Sequence, residues 1–148
     1  MTRTAAVAYS RPGPPEVLED VEIEVPDPRP HDLLVEIRAV SVNPADVKSR
    51  AGNDPGGAPK VLGYDAAGVV LAIGEEVTCF EVGDEAFDAG SIDRQGTCAG
   101  LQLVDEHIVG HKPQSSNFAD AAAMPLTSIT AWEALFDRLA LTSGSAGS

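Results

Sequence analysis

Residues 62–87, LGYDAAGVVLAIGEEVTCFEVGDEAF, constrain the fold more than any other stretch of this chain. Short Val/Ala/Ile-rich segments alternate there with Gly63, Gly68 and Gly74, and the run closes on Gly83-Asp84. Glycine has no Cβ, so it permits positive φ and close backbone approach. Val82-Gly83-Asp84-Glu85 predicts a tight turn between strands. Apolar segments this short cannot make a domain-sized helix. They predict a small β-barrel.

The flanking sequence extends that pattern. Thr4–Tyr9 reads as a first strand, broken by Arg11-Pro-Gly-Pro-Pro15. From Val17 to Val25, apolar and acidic residues alternate, as a half-buried antiparallel strand requires. Pro26, Pro28 and Pro30 force an extended loop before a strand over Leu33–Val42. Asn43-Pro44 ends that strand and opens a short helix through Val47 and Ser49, stopped by Gly52. Tyr64–Ile73 is the long central strand. Ala86–Phe87, Ala99–Val104 and His107–Val109 are expected as further short strands.

The pattern then changes to helix. Asn117 with Asp120 three positions on resembles a capping box for a short helix through Ala121–Ala123, ended by Pro125. Leu126, Ile129, Trp132, Leu135, Phe136 and Leu139 recur at helical spacing and predict an amphipathic helix over 126–139. Thr142–Ser148 reads as a loop or linker. An apolar helical stripe needs a surface to pack on, which predicts that the chain is a fragment.

Composition excludes several partners. The chain has 148 residues, enough for one compact domain, and a net charge of −13. Such an acidic surface repels nucleic acid and anionic lipid. Aromatic residues are only 5% of the chain, so Val, Ala, Leu and Ile must fill the core. Cys79 and Cys98 have no metal-like or C-x-x-C spacing and are expected as reduced, partly buried thiols. No signal peptide or membrane-length apolar run is present, which predicts a cytoplasmic protein.

Four segments in order carry a more specific signal: Ser41-Val-Asn-Pro-Ala-Asp46, Leu62-Gly-Tyr-Asp-Ala-Ala-Gly-Val-Val70, Phe80-Glu-Val-Gly-Asp84 and Ala121-Ala-Ala-Met-Pro-Leu-Thr-Ser-Ile-Thr-Ala-Trp132. Together they resemble the catalytic domain of the medium-chain dehydrogenase/reductase superfamily, in its quinone oxidoreductase and zinc-type alcohol dehydrogenase-like branch. The resemblance covers nearly the whole chain. It implies a mainly β fold with a few helices, a GroES-like, partly open β-barrel over residues 1–124. Residues 125–148 would be an inter-domain helix and linker. In the family a Rossmann domain binding NAD(P)H follows, so the chain is expected to be truncated before that domain. Gly144-Ser-Ala-Gly147 lacks the flanking strand and helix that a dinucleotide fingerprint needs.

The resemblance also bears on metal. Zinc-dependent members carry three ligands at positions that match Asn43, Tyr64 and Leu126 here. An amide, a phenol and an aliphatic side chain are not a credible zinc set, and a structural zinc lobe of four cysteines is also missing. No metal is therefore expected. Asp46 and Asp65 match acidic positions beside the metal in zinc enzymes, and here are expected to hold backbone or neighbouring side chains. His31, His107 and His111 read as scattered surface or satisfied histidines.

Zinc-free members, by the same resemblance, use an Asn and a Tyr around the nicotinamide and reduce quinones or activated enones with NADPH. Asn43 and Tyr64 are the implied catalytic pair. Asn43, Thr127 and Thr130 are the implied cofactor contacts. Each has a plain structural alternative: a helix N-cap for Asn43, a core ring with a polar tip for Tyr64, and a hydroxyl bonded back to its own helix for Thr130. Lys48 and Arg50 could meet an anionic group or simply be solvated. The expected partner is a small quinone, enone or aldehyde, and the exposed stripe could pair two copies. The fragment alone is expected to be inactive. A non-catalytic interaction module is the alternative, and a zinc-dependent alcohol dehydrogenase a weaker one.

Overall fold

In the computed structural model, residues 1–142 are described; Gly144–Gly147 and most of the expected linker lie outside them. Eight strands run β1 (Thr2–Tyr9), β2 (Leu18–Val25), β3 (Asp32–Ser41), β4 (Lys60–Val61), β5 (Asp65–Ile73), β6 (Glu85–Asp88), β7 (Leu101–Asp105) and β8 (Val109–His111). Helix α1 (Pro44–Gly52) follows β3, while α2 (Phe118–Ala122) and α3 (Pro125–Trp132) close the described chain, α3 continuing as a π-helical turn through Arg138. The strands form a three-stranded sheet of order β2-β1-β4 and a five-stranded sheet of order β7-β3-β5-β6-β8. The fold is mainly β and the two sheets do not close into one barrel.

The alternation over 17–25 has the expected effect. Val21, Ile23 and Val25 turn inward while Glu22 and Glu24 face solvent. Arg3 on β1 reaches both glutamates at 3.4 Å. In the larger sheet Leu33, Val35, Val70, Ala86 and Val104 meet Phe80 in one core cluster. A second cluster sets Ala6 and Ala8 against Val61. Residues 97–100 stitch the two sheets together: Val7 N–H donates to Cys98 O, Gly100 N–H to Ala5 O, and Ile37 N–H to Gly100 O, all within 3.0 Å.

Two glycines of the 62–87 run show why that run is so restrictive. Gly63 has φ +108, and a Cβ there would lie 2.3 Å from Thr97 Oγ1. Gly68 sits where β5 crosses β3, and a Cβ would meet Glu36 O at 2.1 Å. The first needs a left-handed backbone; the second needs space.

Several expectations are corrected. Val17 closes a 3-10 turn over Pro15–Val17 and the strand begins at Leu18. Residues 106–108 form a 3-10 turn rather than a strand, because Asp105 Oδ1 accepts the His107 N–H at 3.0 Å and caps it. Only Ala99 among 99–100 makes a bridge, with Ala6, and β7 begins at Leu101. The two-residue β4 is an addition that no alternating pattern announces. Pro125 does not merely end a helix. It stands at the first turn of α3, where its missing N–H costs nothing. Cys79 is exposed, not partly buried. Among the described residues no helix is long and apolar enough to cross a membrane.

Helix α2 fixes where α3 starts. Asn117 caps it, accepting the Asp120 N–H at 2.9 Å. Ala121 and Ala122 then pack fully buried against Ala67 of β5. Small residues on both sides let the helix sit close to the sheet. That proximity brings the first turn of α3 to the start of β5.

Candidate active site

The site is assembled around two buried carboxylates. Asn43 follows β3 and stands at the N-cap of α1, and its N–H donates to Asp46 Oδ2 at 2.8 Å. The other oxygen of Asp46 accepts the Gly63 N–H at 3.0 Å. One carboxylate therefore ties the start of α1 to the left-handed Gly63 turn, which holds the next residue, Tyr64.

Asp65 is the second centre and is fully buried. Its Oδ2 accepts Asn43 Nδ2 at 2.9 Å and Ser41 Oγ at 3.2 Å. Its Oδ1 accepts the Leu126 N–H at 2.8 Å. That N–H is among the orphan donors of the α3 N-terminus, so a buried anion there suits both the hydrogen bond and the helix dipole. The expectation that Asp46 and Asp65 hold backbone and neighbouring side chains matches this network.

Tyr64 is half-buried and lines a cleft with Asp46, Ser49, Lys60, Ile92 and Arg94. The cleft holds about 60 Å³, whereas small-molecule pockets run to roughly 300–1,000 Å³. It is a wall, not a whole binding site. Arg94 in that wall is already paired with buried Asp32 at 2.8 Å. Lys60, Ser49 and Arg94 were not legible as cleft residues, since they come from three separate segments with no motif. Asn43 and Tyr64 are joined through Asp46, Gly63 and Asp65 rather than by a bond of their own.

The two threonines are held by their own helix. Thr130 Oγ1 donates to Leu126 O at 2.8 Å, and Thr127 Oγ1 to Met124 O at 3.0 Å. Both are exposed and keep acceptor capacity for an incoming donor. Lys48 is exposed; Arg50 Nε donates to Gly13 O at 3.1 Å and so anchors the Pro-rich loop.

Asp88 lies beside this centre, at the end of β6 paired with Ala66 of β5. Burial pushes its carboxyl up to about 6, with the Asp65 charge adding to the rise, against hydrogen bonds from Gln102 and Gly90 that favour the anion. Burial also raises the Cys98 thiol, helped by Asp46. Tyr9 is raised chiefly by burial, and its hydroxyl donates to Ser49 O at 3.3 Å.

The zinc question can be put to these donors. Asn43 turns its amide nitrogen to Asp65, Tyr64 offers a phenol, and Leu126 contributes a backbone N–H rather than a side-chain ligand. This donor set does not fit a catalytic zinc. Of the histidines, His111 stacks on Phe80 at 4.3 Å. His31 and His107 are not scattered: their rings lie 5.1 Å apart, edge to face, with Glu106 beside them.

Comparison with known proteins gives one consistent picture. Residues 29–131 match the family described as the alcohol dehydrogenase GroES-like domain. A zinc-type alcohol dehydrogenase-like protein of Staphylococcus aureus (strain MSSA476) is 48% identical over 112 residues, covering 76% of this chain and 33% of the relative. A Rhizobium etli CFN 42 protein, named provisionally as a zinc-dependent alcohol dehydrogenase, superposes with a TM-score of 0.88 at 54% identity, over 93% of this chain and 41% of that one. Escherichia coli quinone oxidoreductase, solved with NADPH, superposes with a TM-score of 0.77 at 28% identity, over 88% and 40%. The chain thus spans about a third of the length of the curated relative.

Proposed function

The chain belongs to the medium-chain dehydrogenase/reductase superfamily, and from that premise we propose that it is the substrate-side part of a metal-independent, NADPH-dependent quinone or enone reductase. The observation that carries this reading is the Asp65 carboxylate. It holds the Asn43 amide and the first turn of α3 on one buried centre, and the three positions that would ligate zinc offer no zinc donor set. The names of the relatives point both to zinc-type dehydrogenases and to quinone reductases; the donor chemistry favours the second.

Bound NADPH would supply a hydride to the electron-poor carbon of a quinone or conjugated enone. The residues of this chain then have three tasks. Asn43, with one amide hydrogen committed to Asp65, orients the nicotinamide or the substrate oxygen with the other. Tyr64, on the cleft wall, donates its hydroxyl to the substrate oxygen and stabilises the charge that develops there. Thr127 and Thr130 line the approach of the cofactor along α3. The GroES-like catalytic region is 1–124, and 125–148 connects it to the part of a longer protein that binds the dinucleotide. The small cleft fits this division, because it needs a second wall. The 148-residue chain alone is inactive in this reading, and the protein is cytoplasmic.

The test is NADPH-dependent reduction of a small quinone by the longer protein carrying this chain, with Asn43→Ala and Tyr64→Ala. Removing a transition-state hydrogen-bond donor costs on the order of 100-fold in turnover. Turnover unchanged in both variants would refute the assignment, and one equivalent of zinc required for turnover would refute metal independence.

A further inference from the structure

We propose that His31, Glu106 and His107 form a binding site for a divalent transition-metal ion, Zn²⁺ above all, which staples the loop before β3 to the turn after β7 at the end of the fold remote from Asn43. The site goes beyond the reductase reading and does not depend on it. Strand β3 separates the two: His31 precedes it and Asn43 follows it. Ten residues at about 3.4 Å each put them roughly 30 Å apart.

One ligand atom from each of the three residues lies within 4.8 Å of the others. His31 Nδ1 and Glu106 Oε1 are 3.0 Å apart. Ligand atoms at about 2.0–2.1 Å from a tetrahedral zinc are themselves about 3.3 Å apart, so this pair already has nearly the spacing an ion requires. The ion would replace the proton they share. His107 is exposed and supplies the third position. Water takes the fourth.

The surroundings make this more than a cluster. A histidine that binds metal through one nitrogen characteristically gives its other N–H to a carboxylate. Both histidines have that partner. His31 Nε2 meets Glu76 Oε2 at 2.9 Å, and His107 Nδ1 meets Asp105 Oδ1 at 2.6 Å. The arrangement leaves His31 Nδ1 and His107 Nε2 for the ion. Glu106 is positioned independently: its Oε2 accepts the N–H groups of Thr78 and Cys79 at 2.9 and 2.8 Å, and its own N–H donates to His31 O at 2.9 Å. Its carboxyl is buried and keeps Oε1 toward the histidines. Two imidazoles, one inner carboxylate and two outer ones suit a borderline divalent ion; a hard ion such as Mg²⁺ prefers oxygen alone.

The experiment is calorimetric titration of ZnCl₂ into the metal-stripped chain, with Co²⁺ absorption as a report on coordination geometry. One ion per chain and tetrahedral Co²⁺ bands are expected. His31→Asn and His107→Asn should each weaken binding about tenfold or more. Cys79→Ser and His111→Asn, which alter donors outside the three ligands and their carboxylate partners, should bind as the parent does. Circular dichroism confirms folding, and exposed His107 is the variant that cannot fail for want of a core. No saturable binding by the parent, parent-like binding by both histidine variants, or loss of binding in Cys79→Ser would overturn the proposal.

Discussion

Asp88→Asn should make this protein more stable at neutral pH and remove a titration from its stability curve. Asp88 is 3% exposed. Its Oδ1 accepts the Gly90 N–H at 2.7 Å and Gln102 Nε2 at 2.9 Å, but these do not offset the loss of water. Burial first, and the Asp65 charge last, lift the carboxyl from 3.8 to about 6. The folded value lies above the unfolded one, so the native state binds the proton more tightly. The stabilisation is complete below about pH 4 and is lost as pH rises through about 6. A displacement of about 2 units at 1.36 kcal/mol each corresponds to about 3 kcal/mol. Asparagine keeps the accepting oxygen and cannot ionise. The stability difference between Asp88→Asn and the parent should therefore shift by about 3 kcal/mol in favour of the variant between pH 4 and pH 7.5. Urea unfolding of both proteins across that range measures it, and taking the difference cancels the titrating groups not coupled to Asp88. Parallel curves would refute the claim that Asp88 is the buried acid responsible.

Three further outcomes follow from the same geometry. Asp65→Ala removes one acceptor from Ser41, Asn43 and the Leu126 N–H, and should lower unfolding stability by about 3 kcal/mol; a loss under about 1 kcal/mol in denaturant melts would show that α3 is held by something else. Gly63→Ala forces a Cβ against Thr97 at φ +108 and should cost about 2–4 kcal/mol, against the few tenths expected at an unstrained loop glycine. The stripe of Ile129, Trp132, Phe136 and Leu139 is 46–65% exposed, and the Trp132 and Phe136 rings pack tilted with centroids 4.6 Å apart. The isolated chain should self-associate through it, and Trp132→Ser with Phe136→Ser should leave a monomer by sedimentation velocity. Sedimentation unaffected by the double change would place any association elsewhere.

Local physics made much of this protein legible from the sequence. Period-two alternation marked β2 because it buries one face, and the Asn43-Pro44 and Asn117 signals marked helix starts because capping is a property of a few adjacent residues. The glycine turns of 62–87 were readable for the same reason: the strain at Gly63 is local. Failures had one local cause and one that was not. The 3-10 turn at 106–108 exists because Asp105 caps it, against a β-rich composition that favoured a strand. Strand β4 exists because it pairs with Ala8 and Tyr9 of β1, far away in the sequence.

The sequence by itself determined the strand-and-turn grammar, the family and the unsuitability of residues 43, 64 and 126 as zinc ligands, since residue identity alone excludes an aliphatic donor. Only the tertiary structure decided what those residues do instead. Asp65 and Leu126 are 61 positions apart, and nothing in their neighbours announces that α2, packing closely through alanines, delivers one to the other. His31 and Glu106 are 75 apart, and their meeting follows from the β3–β7 pairing that aligns Asp32 with Asp105. Buried polar groups must find partners wherever the chain brings them, and those pairings are set by sheet register rather than by sequence proximity.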